Sequence, residues 1–156
     1  NKSNVEKNSI KQINYKDLFD GIVRVIKGTN FNYFSEEAKK NLFMKEFIVT
    51  RLVDRMGMRL DGPYLENLIK TNMKSEGLIK GVIQVPPDGK PIIMLSDHGT
   101  IGGYPKIAVV ISADLDKVAQ LTPGTKIRFK DVNLEEAEKL FNEYNKQTKK
   151  YLDEYS

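Results

Sequence analysis

The chain has 156 residues, 40% of them hydrophobic and 29% charged, with a net charge of +4 and an isoelectric point near 9.1. That length suits one compact domain, and the lysines are spread among acids without an Arg-rich block or interleaved aromatics, which argues against nucleic acid as a partner. The absence of cysteine and the single histidine, His98, exclude disulfides, thiolate catalysis, Cys-ligated zinc and a His-rich metal site within these residues.

Residues 1–16 are polar, Asn/Lys/Ser-rich and aperiodic, so residues 1–20 read as a linker or frayed end. Ile22 to Ile26 alternates around Arg24 and reads as a strand. Ser35 is placed to cap a helix whose first turn holds Glu36 and Glu37, with Leu42 and Phe43 facing the core. Phe47 to Leu52 and Met58 to Leu60 read as strands, and Gly62-Pro63 as a break. Leu65 to Met73 is ambiguous between helix and irregular strand. Gly81 to Val85 and Pro91 to Leu95 form a hairpin around Pro86-Pro87-Asp88-Gly89, with Gly89 in a left-handed position. Leu95 to Lys106 reads as a wide loop between buried β-branched runs, the second being Ile107 to Ile111. Ser112 or Asp114 caps a short helix ending at Leu121, and Pro123-Gly124 turns the chain into a last strand, Lys126 to Phe129. Asn133 and Glu136 have capping-box spacing. The apolar residues from Leu134 to Tyr155 then recur at helical intervals, predicting an amphipathic helix over 134–155. Short strands, tight turns and a few helices point to a mainly β structure with helices, closed or nearly closed into a barrel. No apolar run reaches membrane-spanning length and no signal-peptide pattern is seen, so neither membrane nor secretion is expected and a reduced, cytoplasmic setting is the default.

Three segments carry a family resemblance. Gly77 to Phe129, which includes Asp97-His98-Gly99 and Gly102-Gly103-Tyr104-Pro105-Lys106, resembles the C-terminal half of the bacterial 5-oxoprolinase C-subunit family, also called KipA or allophanate hydrolase subunit 2. Asp54 to Pro63 resembles that family's Arg-Met-Gly-x-Arg-Leu-x-Gly signature, and Val23 to Phe43 resembles the strand and helix that open the same half. The resemblance spans about Ile22 to Ala137. It implies a cyclophilin-like, carboxyltransferase-type domain over residues 21–156, the C-terminal half of a parent about twice as long. It also implies ATP as the co-substrate of the complete complex, and partners of the 5-oxoprolinase A and B, or KipI-like, type together with the N-terminal half of the parent. The activity implied is ATP-dependent hydrolysis of 5-oxoproline to glutamate. Its alternatives are transfer of carboxylate from biotin to urea or a similar nitrogen compound, and KipA-like regulation by binding a kinase inhibitor. The isolated chain is expected to be inactive.

Opening an unactivated lactam needs cations or N–H groups for phosphate and oxyanion charge, a group for the substrate carboxylate, and a base or water-orienting acid. Asp97 and Lys106 are the catalytic candidates. Asp97 either orients water or caps its loop; Lys106 either neutralises phosphate or ends a strand in solvent. Arg55, Gln84, Gly102, Gly103 and Tyr104 are the substrate-binding candidates. Arg55, like Arg59, either holds a carboxylate or phosphate or fixes a loop. Gln84 lies in an otherwise apolar strand, so its amide belongs to a core network or a ligand. Gly102 and Gly103 can present N–H groups to an anion. Tyr104 either stacks on a ligand or packs before Pro105. His98 is a catalytic candidate or an exposed loop residue, and Asp114 reads as a cap on the solvated face. The candidates are expected to converge on one concave surface.

Overall fold

The computed structural model describes residues 19–70, 73–97, 99 and 101–155. The elements are β1 (Ile22–Lys27), α1 (Glu36–Met44), β2 (Phe47–Val53), β3 (Gly57–Asp61), β4 (Glu76–Gly77), β5 (Val82–Gln84), β6 (Ile92–Met94), β7 (Ile101–Gly102), β8 (Lys106–Val110), α2 (Leu115–Ala119), β9 (Lys126–Asp131) and α3 (Leu134–Tyr155). Single 3₁₀ turns stand at Phe31–Tyr33 and Ser112–Asp114. Seven strands close a barrel in the order β1-β8-β5-β6-β3-β2-β9, and β4 and β7 pair separately. The mainly β expectation is met: the hairpin strands, β8 and β9 all belong to one barrel.

Alternation builds the interior. Val23 and Val25 of β1, Met58 and Leu60 of β3, and Ile127 and Phe129 of β9 point inward and are fully or almost fully buried. Phe47 and Phe129 pack ring to ring across β2 and β9, with centroids 5.4 Å apart. Closure depends on β9, which runs antiparallel to β2 but parallel to β1, with Val23 opposite Phe129. α1 starts where expected, with Ser35 Oγ accepting from the Ala38 N–H at 3.1 Å, and buries Ala38 and Leu42. The turn Pro86–Gly89 also forms as expected, with Gly89 at φ 71° and its N–H donating to the Pro86 carbonyl. Leu65 to Met73 forms no helix where it is described; its regular pairing there is an isolated bridge from Phe34 to Asn67.

Asp114 departs from its reading as a solvated cap. It makes no cap bond and is 1% exposed, because its carboxylate accepts from Arg24 of β1. α3 forms over the expected residues, and Asn133 Oδ1 accepts from the Glu136 N–H at 2.8 Å. It leans on the Ser112–Asp114 turn through its first half, where Tyr144 donates to Asp116, while Tyr151 and Leu152 remain exposed. The expected linker at residues 1–20 lies outside the described residues as far as residue 18, as does His98.

Candidate functional site

The β5–β8 ladder changes register in its middle. Ile83 stands opposite Ala108, whereas Gln84 stands opposite Lys106, leaving Ile107 as the extra residue. A bulge of this kind re-aims the side chains beside it. The segment after β1 holds it in place: Gly28 N–H donates to the Ile107 carbonyl, Asn30 N–H to the Lys106 carbonyl at 3.0 Å, and Lys106 N–H to Asn30 Oδ1 at 2.9 Å. Directly opposed residues project from the same face of an antiparallel pair. Gln84 and Lys106 are thus neighbours, and both are buried.

The small β4–β7 sheet covers them. Glu76 pairs with Gly102 and Gly77 with Ile101. A Cβ on Gly102 would lie 2.8 Å from Gln84 Nε2 and 2.9 Å from Leu78 Cδ1, so glycine lets β7 sit directly on the amide, and any larger residue would push the ends of those two side chains aside. Lys106 Nζ reaches Glu76 Oε2 at 2.8 Å; the lysine side chain is 6% exposed and the glutamate 47%. A buried ammonium is costly unless paired, and here the partner is half in water. The solvated strand end considered for Lys106 is excluded by this burial, and Gln84 belongs to a buried polar cluster.

Gly103 and Tyr104 continue from the cover into a cavity of about 530 Å³ that also meets Tyr64, Lys70, Pro86 and Pro105. A larger hollow, about 1040 Å³, opens elsewhere between Phe19, Lys117, Pro123 and Tyr144, and contains none of the sequence candidates. The smaller cavity is the better candidate because the glycine-rich segment borders it.

Arg55 and Asp97 form a second group. Arg55 Nε meets Asp97 Oδ2 at 2.7 Å, and the Asp97 N–H donates to the Arg55 carbonyl at 2.8 Å, continuing the β3–β6 ladder. Both side chains are exposed. Gln84 pairs with Ile92 at the start of β6, whereas Asp97 follows its end. The structure therefore brings Gln84, Gly102 and Lys106 together, sets Gly103 and Tyr104 on the adjoining cavity, and pairs Arg55 with Asp97 across a three-residue strand from them. Arg59 points out of the barrel to Asp88 at 2.7 Å.

Sequence reasoning missed Glu76 and Asn30. Glu76 sits in the polar run Lys74-Ser75-Glu76-Gly77 and belongs to no motif; the one available signal is its place immediately before the family segment that begins at Gly77. Asn30 carries no signal, since its partner is 76 residues away.

Chemically, the buried cluster offers an ammonium for an anion and a carboxamide that both donates and accepts, the complement of an amide edge. Comparison with known proteins gives a consistent picture. Residues 1–131 match the family described as carboxyltransferase domain, subdomain A and B. The chain is 40% identical over 119 residues to the 5-oxoprolinase C-subunit of Haemophilus influenzae, covering 76% of this chain and 38% of that protein. It is 33% identical over 136 residues to the Escherichia coli 5-oxoprolinase C-subunit, covering 87% and 43%. The urea amidolyase of Kluyveromyces lactis superposes with a TM-score of 0.75 at 29% identity, over 80% of this chain and 8% of that one. The chain thus spans about two fifths of the length of the curated relatives it matches.

Proposed function

Because the chain belongs to the carboxyltransferase domain, subdomain A and B, family, we propose that it forms part of a subunit of ATP-dependent 5-oxoprolinase and binds the lactam substrate. The observation carrying this reading is the buried Lys106–Gln84 pair under Gly102. The substrate joins a carboxylate to a lactam amide. Lys106 holds the carboxylate, and Gln84 bonds the amide edge. In the overall reaction the terminal phosphoryl group of ATP passes to the lactam oxygen and ADP leaves, a water oxygen bonds to the activated carbon, the ring C–N bond breaks with the nitrogen taking up the protons released, and inorganic phosphate departs. Asp97, steadied by Arg55, orients that water in the assembled complex.

We assign ATP to the partner subunits. The cavity beside Tyr104 is walled by Pro86, Pro87 and Pro105, which have no N–H to offer a phosphate. Among the described residues lining this cavity, Lys70 is the one cation for a phosphate. We assign the complex to the cytoplasm; no helix among the described residues is long and apolar enough to cross a membrane.

The test is ATP-dependent release of glutamate from 5-oxoproline by the full-length parent with its partner subunits. Lys106→Met and Gln84→Leu are expected to raise KM about tenfold or more, the scale of one lost charge-assisted contact. Both variants with unchanged kcat/KM would overturn the reading. A second reading, carboxyl transfer to urea, is favoured by the superposition on urea amidolyase. Urea-dependent consumption of carboxybiotin by the parent, without action on 5-oxoproline, would select it.

A further inference from the structure

We propose that Glu76 is a built-in stand-in for the ligand's carboxylate and that the β4–β7 clip opens when a ligand displaces it, an inference resting on Lys106 as the substrate's anion anchor. Lys106 already has a carboxylate on it at 2.8 Å, so the position has the shape and charge that a ligand carboxylate needs. The same contact bars entry, because the lysine is sealed beneath Glu76. One carboxylate must leave for another to arrive.

The clip is constructed to let go. It consists of two register pairs, Glu76 with Gly102 and Gly77 with Ile101, with a glycine in each strand. Residues 74–77 are exposed, and a Cβ added to Gly77 would meet nothing within 4 Å. A two-residue pairing whose β4 strand lies exposed opens easily, and the Glu76 side of the ion pair is half in water. Exchanging Glu76 for a ligand carboxylate preserves the charge pairing of Lys106. Gln84 then discriminates: its amide comes free of Gly102 only when the clip lifts, so a ligand with an amide beside its carboxylate gains a contact that a simple carboxylate lacks.

A tethered carboxylate competes at a high effective concentration. Removing its charge should therefore tighten binding of a free one. Calorimetric titration of the 156-residue chain with 5-oxoproline and with acetate provides the test. Glu76→Gln is expected to bind 5-oxoproline about tenfold or more tightly than wild type does, and acetate more tightly than wild type but less than 5-oxoproline. In the wild-type chain, 5-oxoproline is expected to speed amide hydrogen exchange at Glu76, Gly77 and Gly102, a readout independent of how the variant folds. If both ligands bind Glu76→Gln no better than wild type, or if exchange is unchanged or slowed, the clip mechanism is wrong. If acetate gains affinity and 5-oxoproline gains no more than acetate, the clip stands and the 5-oxoproline reading fails. If 5-oxoproline binds both proteins equally and needs Lys106, the substrate reading stands and the clip fails.

Discussion

Arg24 holds Asp114 by three bonds: its backbone N–H donates to Oδ2 at 2.8 Å, its Nε to the same oxygen at 3.1 Å, and its Nη2 to Oδ1. Lys117 Nζ stands 3.5 Å away as a second cation. The hydrogen bond to Asp114 raises the Arg24 guanidinium above its ordinary pKa, against the opposing effect of burial. The cluster ties β1 to the turn that opens α2. Asp114→Ala strands the guanidinium and should cost about 3 kcal/mol, the lower edge for breaking a buried pair, because Arg24 is 27% exposed. For a domain of this size that is a fall in Tm of about 6–12 °C by scanning calorimetry. A change below about 0.5 kcal/mol, the level of a surface substitution, would contradict this account.

Asp61 provides the pH dependence that can be read from structure. The hydrogen bond from Lys90 Nζ, at 2.6 Å, lowers its carboxyl below the ordinary 3.8, followed by the Gly62 N–H and the charge of Lys90. A folded-state pKa below the unfolded one contributes stability that is present above the unfolded value and lost as pH falls through the folded one. The NMR-observed midpoint of the Asp61 carboxyl should lie below 3.8, and Lys90→Met should move it back up. A wild-type midpoint at or above 3.8 would refute the assignment.

The strands were legible because their β-branched runs sit between strong turn formers: Gly81 to Leu95 folds around Pro86–Gly89, and β8 follows Pro105. The helix caps at Ser35 and Asn133 were legible because they act on residues three positions ahead. What the sequence could not reveal is non-local. Asp114 looked like a cap because Arg24 lies 90 residues away. β4 and β7 have two residues each, too short to show any period, and Gly77 and Gly102 hide both strands behind a turn signature. Gln84 stood out as the polar residue of an apolar strand, and Gly102 and Lys106 as part of a glycine-rich segment, but their meeting depends on the Ile107 bulge, which alternation within β8 alone does not disclose. The stripe on α3 predicted a helix correctly but not that Leu134, Phe141, Tyr151 and Leu152 along it would stay exposed.

Gly28 is expected to be intolerant of any side chain. A Cβ there would lie 2.4 Å from the Lys106 carbonyl oxygen and 2.8 Å from the Ala108 nitrogen, both backbone atoms of β8. Relief requires β1 and β8 to part at the bulge that presents Lys106. Gly28→Ala should cost about 1–3 kcal/mol or more as overpacking, lowering the urea midpoint by about 1 M. Gly77→Ala, where the added methyl meets nothing within 4 Å, should leave it within about 0.5 kcal/mol. Equal midpoints for the two variants would show that the close approach of Gly28 does not hold the bulge.

The Arg55–Asp97 pair separates a stability role from a functional one. Its side chains are 86% and 45% exposed, so their ion pair contributes about 0–1 kcal/mol at most. The Asp97 N–H to Arg55 carbonyl bond survives any side-chain change, so the ladder at the end of β6 stays in register. Asp97→Ala should therefore shift Tm by no more than about 2–4 °C. If Asp97 orients the attacking water in the parent complex, the same variant should lower kcat for 5-oxoproline by about 100-fold or more, the range of a lost general base, with KM little changed. Arg55→Ala should do less, since it removes the group that steadies the acid and leaves the acid in place. Arg55→Lys should recover part of that loss, because an ammonium keeps the charge beside Asp97 and loses the planar fork. An Asp97→Ala complex with undiminished kcat would reduce the pair to a surface salt bridge and leave Lys106 and Gln84 as the site.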